Sequence, residues 1–198
     1  MDNSDNLNKE NILSVIYRYF PKNIKGSSEQ YWKTKEFLNL KNKCEDVRRN
    51  SLNWNNFFDC LREYFPYYLI LDQTQYVDYD RCYSLVITFK NELSDIKYFE
   101  VFVSYIIPSY MICLTETTGN RDFKYNIDLL GVSNSEKMLF DFNIIKETLL
   151  EFFPYQKIDE SIGKLIINDI AFQNMDFGDV NIYKAIYTNN IFYTPISY

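Results

Sequence analysis

Histidine is absent from all 198 residues of this chain. Its absence excludes Ser-His-Asp and Cys-His nucleophile systems, histidine-ligated zinc, and the commonest general base near neutral pH. Glycine is scarce as well, with five residues at 26, 119, 131, 163 and 178 that never group together. No GxGxxG, phosphate-cradling loop or GxSxG pattern can be assembled from them. The four cysteines, Cys44, Cys60, Cys82 and Cys113, form no CxxC pair and are irregularly spaced. They read as reduced thiols, largely buried, and not as a disulfide framework.

Long apolar runs are also missing. YFPYYLIL (64–71) and YIIPSYMICL (105–114) are too short to span a bilayer, and each contains a proline. The opening MDNSDNLNKEN is polar and acidic, with no cationic stretch leading into an apolar one. No signal peptide is expected, no membrane partner, and a cytoplasmic location is the default. Twenty-one Lys plus Arg face 27 Asp plus Glu, which gives a net charge of −6 and a pI near 4.8. A chain of that charge repels phosphate backbones, so nucleic acid is not an expected partner, whereas a basic protein is.

Carboxylate chemistry survives these exclusions, as in glycosidases or aspartate-held magnesium. The acidic candidates are Asp72, Asp78 and Asp80 in DQTQYVDYDRCY, and Asp176 with Asp179 in NMDFGDVN. DYD at 78–80 matches the DxD of some sugar transferases, but the pattern is short and no nucleotide-binding architecture accompanies it. A solvated acidic turn before a strand is the ordinary reading, and a loop around Gly178 is the ordinary reading of the second set. Cys82 follows Arg81, a neighbour that lowers a thiol pKa, yet a buried thiol on one sheet face is the simpler assignment. No catalytic residue, cofactor or metal ligand is assigned.

Aromatic residues are what the chain has in excess: 18 Tyr, 16 Phe and 2 Trp. With the many Asn, Ile and Lys, this fits an AT-rich coding bias. Tyrosine is also the residue best suited to protein interfaces, since it joins rigid contact area to a polar tip.

Periodicity divides the chain. Ile12, Val15, Ile16 and Tyr19 suit a short helix by spacing and a strand by residue type. Ser27 and Gln30 make a capping-box pair at the mouth of a predicted helix, 28–49, with Phe37, Leu40, Cys44 and Val47 inward. A second helix is expected over 51–65, with Trp54, Phe57, Phe58, Leu61 and Phe65 on one stripe. Alternation then predicts strands at 82–90 and 98–107 joined by NELSDIK, a third at 110–116, and a short one at 67–72. A helix is expected over 135–153, with Met138, Leu139, Phe142, Ile145, Leu149 and Phe152 sharing a face. KLIINDIAF (164–172) reads as extended, and the closing NIYKAIYTNNIFYTP has no clear type.

Prolines at 21, 66, 108, 154 and 195 are spaced like a helical repeat, and YFP recurs at 19–21 and 64–66, with FFP at 152–154. The segments before Pro66 and Pro154 are helical in period, but the one before Pro108 alternates like a strand. Proline here is punctuation, stopping helices whose aromatic ends tuck inward.

Taken together, VIYRYFPKNI, YWKTKEFLNL, WNNFFDCLREYF, DRCYSLVITF and VFVSYIIPSYMICL resemble a group of immunity proteins from bacterial polymorphic-toxin and interbacterial competition systems. The likeness covers about residues 12–114, rests on core and punctuation positions, and transfers no binding residue. It implies a non-catalytic protein that neutralises a cognate toxin domain by stoichiometric occlusion. A carboxylate-dependent enzyme, or an effector chaperone or adaptor, are the other classes open. The acidic-aromatic loop Gln75 to Tyr83 is the candidate partner face, through Tyr76, Asp78, Tyr79 and Asp80; a solvated loop with inward tyrosines competes with it. The expected fold is one α+β domain over 1–198, with 1–11 flexible. It carries a central antiparallel sheet with several helices packed mainly on one face.

Overall fold

The computed structural model describes residues 7–74, 80–88, 96–118, 121–126 and 136–188. Its architecture is α+β, with seven helices and a central sheet among the described residues. The sheet is a meander of β1 (Leu69–Asp72), β2 (Cys82–Thr88), β3 (Ile96–Ser104), β4 (Ser109–Thr118) and β5 (Arg121–Asn126), each antiparallel to the next. A two-residue strand, β6 (Gln156–Lys157), pairs in parallel with Ser109 and Tyr110 of β4, so the sheet is mixed and not purely antiparallel. β5 occupies the same edge of β4 from Cys113 onward, which leaves only the first residues of β4 for β6.

Register places the alternating residues as the sequence requires. Tyr83, Leu85 and Ile87 of β2 pair with Val103, Val101 and Phe99 of β3, and these pair with Tyr110, Ile112 and Leu114 of β4. All are buried, and Ile70 of β1 joins them opposite Ile87. This face receives α4 (Leu52–Tyr64), whose Trp54 stacks on Tyr83 with ring centroids 4.6 Å apart. α5 (Glu136–Phe152) runs antiparallel beside α4: Phe152 meets Phe57 at one end, and Tyr68 donates to Asp141 at the other. The opposite face, with Cys82, Ser84, Phe102 and Ser104, is backed by α7 (Ile182–Ile186) and the residue after it. There Ser104 donates to the Ile186 carbonyl (3.0 Å) and Phe102 meets Tyr187.

The first apolar segment is a helix, α1 (Lys9–Ile16), capped by Asn8, whose side chain accepts from the Asn11 N–H. It starts inside the stretch 1–11 expected to be flexible, and buries Ile12 and Ile16.

The helix predicted over 28–49 is two helices, α2 (Glu29–Trp32) and α3 (Lys35–Arg49). Thr34 divides them. Its hydroxyl donates to the Tyr31 carbonyl (2.8 Å) and accepts from the Phe37 N–H (3.2 Å), closing one helix and capping the next. The capping residue of α2 is Ser28, not Ser27.

The segment expected to be extended at 164–172 forms isolated bridges instead, Lys22 to Ile170 and Ile166 to Asn181, after α6 (Glu160–Gly163). Its amides reach across to other segments: Ile167 donates to the Val180 carbonyl at 2.8 Å. Leu139, counted on the inward stripe of α5, is 57% exposed.

Gly163 shows why its position cannot carry a side chain. A Cβ there would overlap the buried ring of Tyr183 in α7. Gly163→Ala is expected to cost about 1–3 kcal/mol through overpacking. Urea unfolding would measure it, and an unchanged midpoint would contradict the packing of α6 on α7.

Candidate binding surface

The candidate residues Tyr76, Asp78 and Tyr79 lie outside the described residues. Asp80 is described, and it is only 8% exposed. Its carbonyl accepts from the Cys44 thiol at 3.6 Å, and its carboxylate lies close enough to Arg81 to favour the charged guanidinium. Tyr83, at the end of the same loop, also points inward, donating to the Val47 carbonyl at 3.0 Å. Asp80 and Tyr83 therefore belong to the core side of this segment. α3 supplies both of their partners, through Cys44 and Val47.

Arg81 is fully buried. Its Nη2 donates to the Lys184 carbonyl (2.7 Å), and its guanidinium lies over the Phe172 ring at 4.5 Å. Its backbone N–H donates to the Tyr187 carbonyl, and its own carbonyl accepts from Tyr105. Burial pulls the guanidinium below its ordinary pKa, opposed by the Asp80 carboxylate. Cys82 and Cys44 beside it are buried thiols. Burial raises both pKa values, that of Cys44 to about 11, and outweighs the cation that the sequence offered as an activator.

The remaining carboxylate candidates have structural tasks. Asp72 accepts from Trp54 Nε1 (3.0 Å) and from the Thr74 N–H (2.9 Å). Asp179 accepts from the Asp176 N–H (3.1 Å), closing a loop in which Gly178 takes φ +90°. Among the described residues, no group of three or more His, Cys, Asp or Glu side chains is placed to hold a metal. Likewise, no described helix is long and apolar enough to cross a membrane.

A cleft of about 400 Å³ opens where α3 ends and α5 ends, floored by Trp54, Tyr83 and Phe153 and rimmed by Asp46, Asn50 and Asn53. Its rim is chemically mixed, and its floor is the core already described.

The more distinctive surface is an apolar corner. α4 ends at Tyr64, itself 59% exposed, and the turn that follows through Pro66 exposes Tyr67 (85%) before entering β1. In β1 only Ile70 faces the core. Alternation turns Leu69 and Leu71 outward, 47% and 43% exposed. The bond from Tyr68 to Asp141 (3.0 Å) fastens this turn to the first turns of α5, which expose Leu139 and Phe140 (64%). Pro66, Tyr67, Tyr68 and Leu69 line a shallow groove of about 490 Å³.

Six large apolar side chains thus lie exposed on the end of α4, the turn after it, β1 and the start of α5. Leu69 and Leu71 lie on the sheet face opposite Ile70, whereas Tyr64, Leu139 and Phe140 belong to the helices on Ile70's side. The exposed apolar side chains therefore flank both sides of one sheet edge, and large exposed apolar surface of this kind marks a contact site. The sequence did contain a signal. LILD is a three-residue apolar run closed by an aspartate, short enough to be a strand with one face left uncovered. Which strand ends the sheet, however, is not written in the strand itself.

No protein-family model matches the chain, and neither a curated protein nor a solved structure is significantly similar to it.

Proposed function

We propose that this protein neutralises a bacterial toxin domain by binding it one-to-one in the cytoplasm, with the apolar corner as its contact surface. The observation that supports this reading is the exposed set Tyr64, Tyr67, Leu69, Leu71, Leu139 and Phe140, gathered at one edge of an acidic molecule. Exposed tyrosine and phenylalanine supply rigid contact area that becomes dry on binding. The net charge of −6 speeds encounter with a basic partner. Occlusion of this kind needs no reactive group on the inhibitor. The resemblance to immunity proteins points the same way.

The test is co-expression with the product of the reading frame immediately upstream. Rescue of growth and co-elution of a one-to-one complex are expected. Tyr67→Ala and Phe140→Ala should each weaken the complex by roughly 2 kcal/mol, about 30-fold, if they sit at its centre. Both side chains are exposed, so folding should be unaffected. A complex of undiminished affinity in both variants removes the corner from the interface. Absence of rescue and of a complex removes the toxin reading.

A further inference from the structure

β1 is the terminal strand of the sheet, and among the described residues nothing pairs with its outer edge. The phase of its hydrogen bonds can be fixed. Gln73 donates to the Ser84 carbonyl (2.8 Å), so these two residues form a hydrogen-bonded pair. Antiparallel alternation makes Leu71–Val86 and Leu69–Thr88 hydrogen-bonded pairs as well. The N–H and C=O groups of Ile70 and Asp72 therefore point away from β2, two donors and two acceptors in the spacing that an added strand requires.

Edges are ordinarily protected by lysine, proline, a bulge or a covering element. LILD contains no lysine or proline and pairs in unbroken register, and its outward side chains Leu69 and Leu71 are apolar. We infer that β1 is a docking edge, and that its occupant is an extended segment of a basic partner protein, added as a further strand.

Charge decides between that occupant and a second copy of this chain. Asp59 and Glu63 are exposed on α4, whose end forms the corner, and Asp72 closes β1 with its carboxylate held by Trp54 and Thr74. A twofold contact would bring this negative charge towards its own image. Among the described residues, two cations of α4 and α5 are turned onto rings of this chain. Arg62 lies over Phe58 at 4.6 Å and Lys137 over Tyr68 at 5.3 Å. A strand alternating apolar and basic residues meets both halves of the surface, with leucines against its apolar side and carboxylates near its cations.

This inference deepens the proposed toxin binding and rests on it for the identity of the partner, but the edge can be tested without the toxin. The probe is a short synthetic peptide alternating valine and lysine, added in excess to the full isotope-labelled chain and followed by amide hydrogen exchange. Exchange at Ile70 and Asp72 should slow by roughly tenfold, with Leu69 and Leu71 unchanged because their amides already bond to β2. Leu71→Lys, an exposed change that adds a repelling cation, should abolish the protection. Ile166→Lys, exposed elsewhere, should leave it intact. A peptide that protects other amides, or none, overturns strand addition and leaves the toxin reading to the co-expression test. Protection at Ile70 and Asp72 without growth rescue keeps the docking edge and removes the toxin. Concentration-dependent self-association that protects the same two amides without peptide would make the occupant a second copy and overturn the choice of partner.

Discussion

Trp54→Ala is expected to destabilise the protein by about 3–5 kcal/mol, read as a shift in the urea midpoint with little change in slope. Trp54 is 1% exposed and joins three things at once. Its indole stacks on Tyr83 with an interplanar angle of 8°, which fixes α4 on the sheet. Its ring also lies at a tilt against Phe57 and against Phe153, the residue after α5, so the exit from α5 depends on it too. Its Nε1–H reaches Asp72, the last residue of β1. Alanine removes the transfer energy of the indole, opens a cavity that three rings must collapse into, and takes a donor from Asp72. Trp54→Phe separates these contributions. It keeps most of the ring area and loses only the N–H, so about 1 kcal/mol is expected. If alanine costs no more than phenylalanine, the stacked pair is not a keystone of this core. The Asp72 bond also tethers the end of the edge strand, so Trp54→Phe should loosen β1 before it affects the rest of the sheet.

The second large effect concerns a charge inside the core. Arg81→Ala should cost about 3–5 kcal/mol, because it strands the Lys184 carbonyl, leaves Asp80 beside an empty space, and vacates the volume against Phe172. Arg81→Met fills much of that volume without a charge. It should be less costly by at least about 2 kcal/mol, since a packed apolar side chain escapes desolvation. Asp80→Asn should recover part of the loss in either background, by removing the carboxylate that the guanidinium had balanced. Equal losses for methionine and alanine would show that the charge itself, and not the space it fills, is what matters there. The comparison is made by chemical unfolding, with far-UV circular dichroism to confirm that each variant folds.

Much of the fold could be read in advance where one periodicity rules a long segment. β2, β3 and β4 alternate cleanly, and register sets Tyr83, Leu85 and Ile87 on the same face as Val103, Val101 and Phe99. The helix stripes of α3 and α4 hold for the same reason. Failures cluster where local bonds compete with period. Thr34 lies within a favourable helical pattern, yet its hydroxyl satisfies two backbone groups and ends the helix there. KLIINDIAF has the composition of a strand, but its amides find partners in separate segments and no ladder forms.

The binding surface was less legible. Asp80 read as part of an exposed acidic turn and is buried beside α3, whose Cys44 lies 36 residues earlier in the chain. Leu139 and Phe140 read as helix residues, and only the docking of Tyr68 on Asp141 shows that they continue the surface begun by Tyr67. Exposure is a property of tertiary arrangement, so periodicity can nominate a residue for either side without choosing between them.

The clamp between Arg81 and α7 has a consequence for biosynthesis. The carbonyl that receives this guanidinium lies 103 residues further along the chain. While the polypeptide is still emerging from the ribosome, the central hairpins can zip through near-neighbour contacts, but this cation must stay hydrated at their margin. Only when Lys184 is released can water be expelled, so sealing of this part of the interior waits for α7 however early the hairpins form.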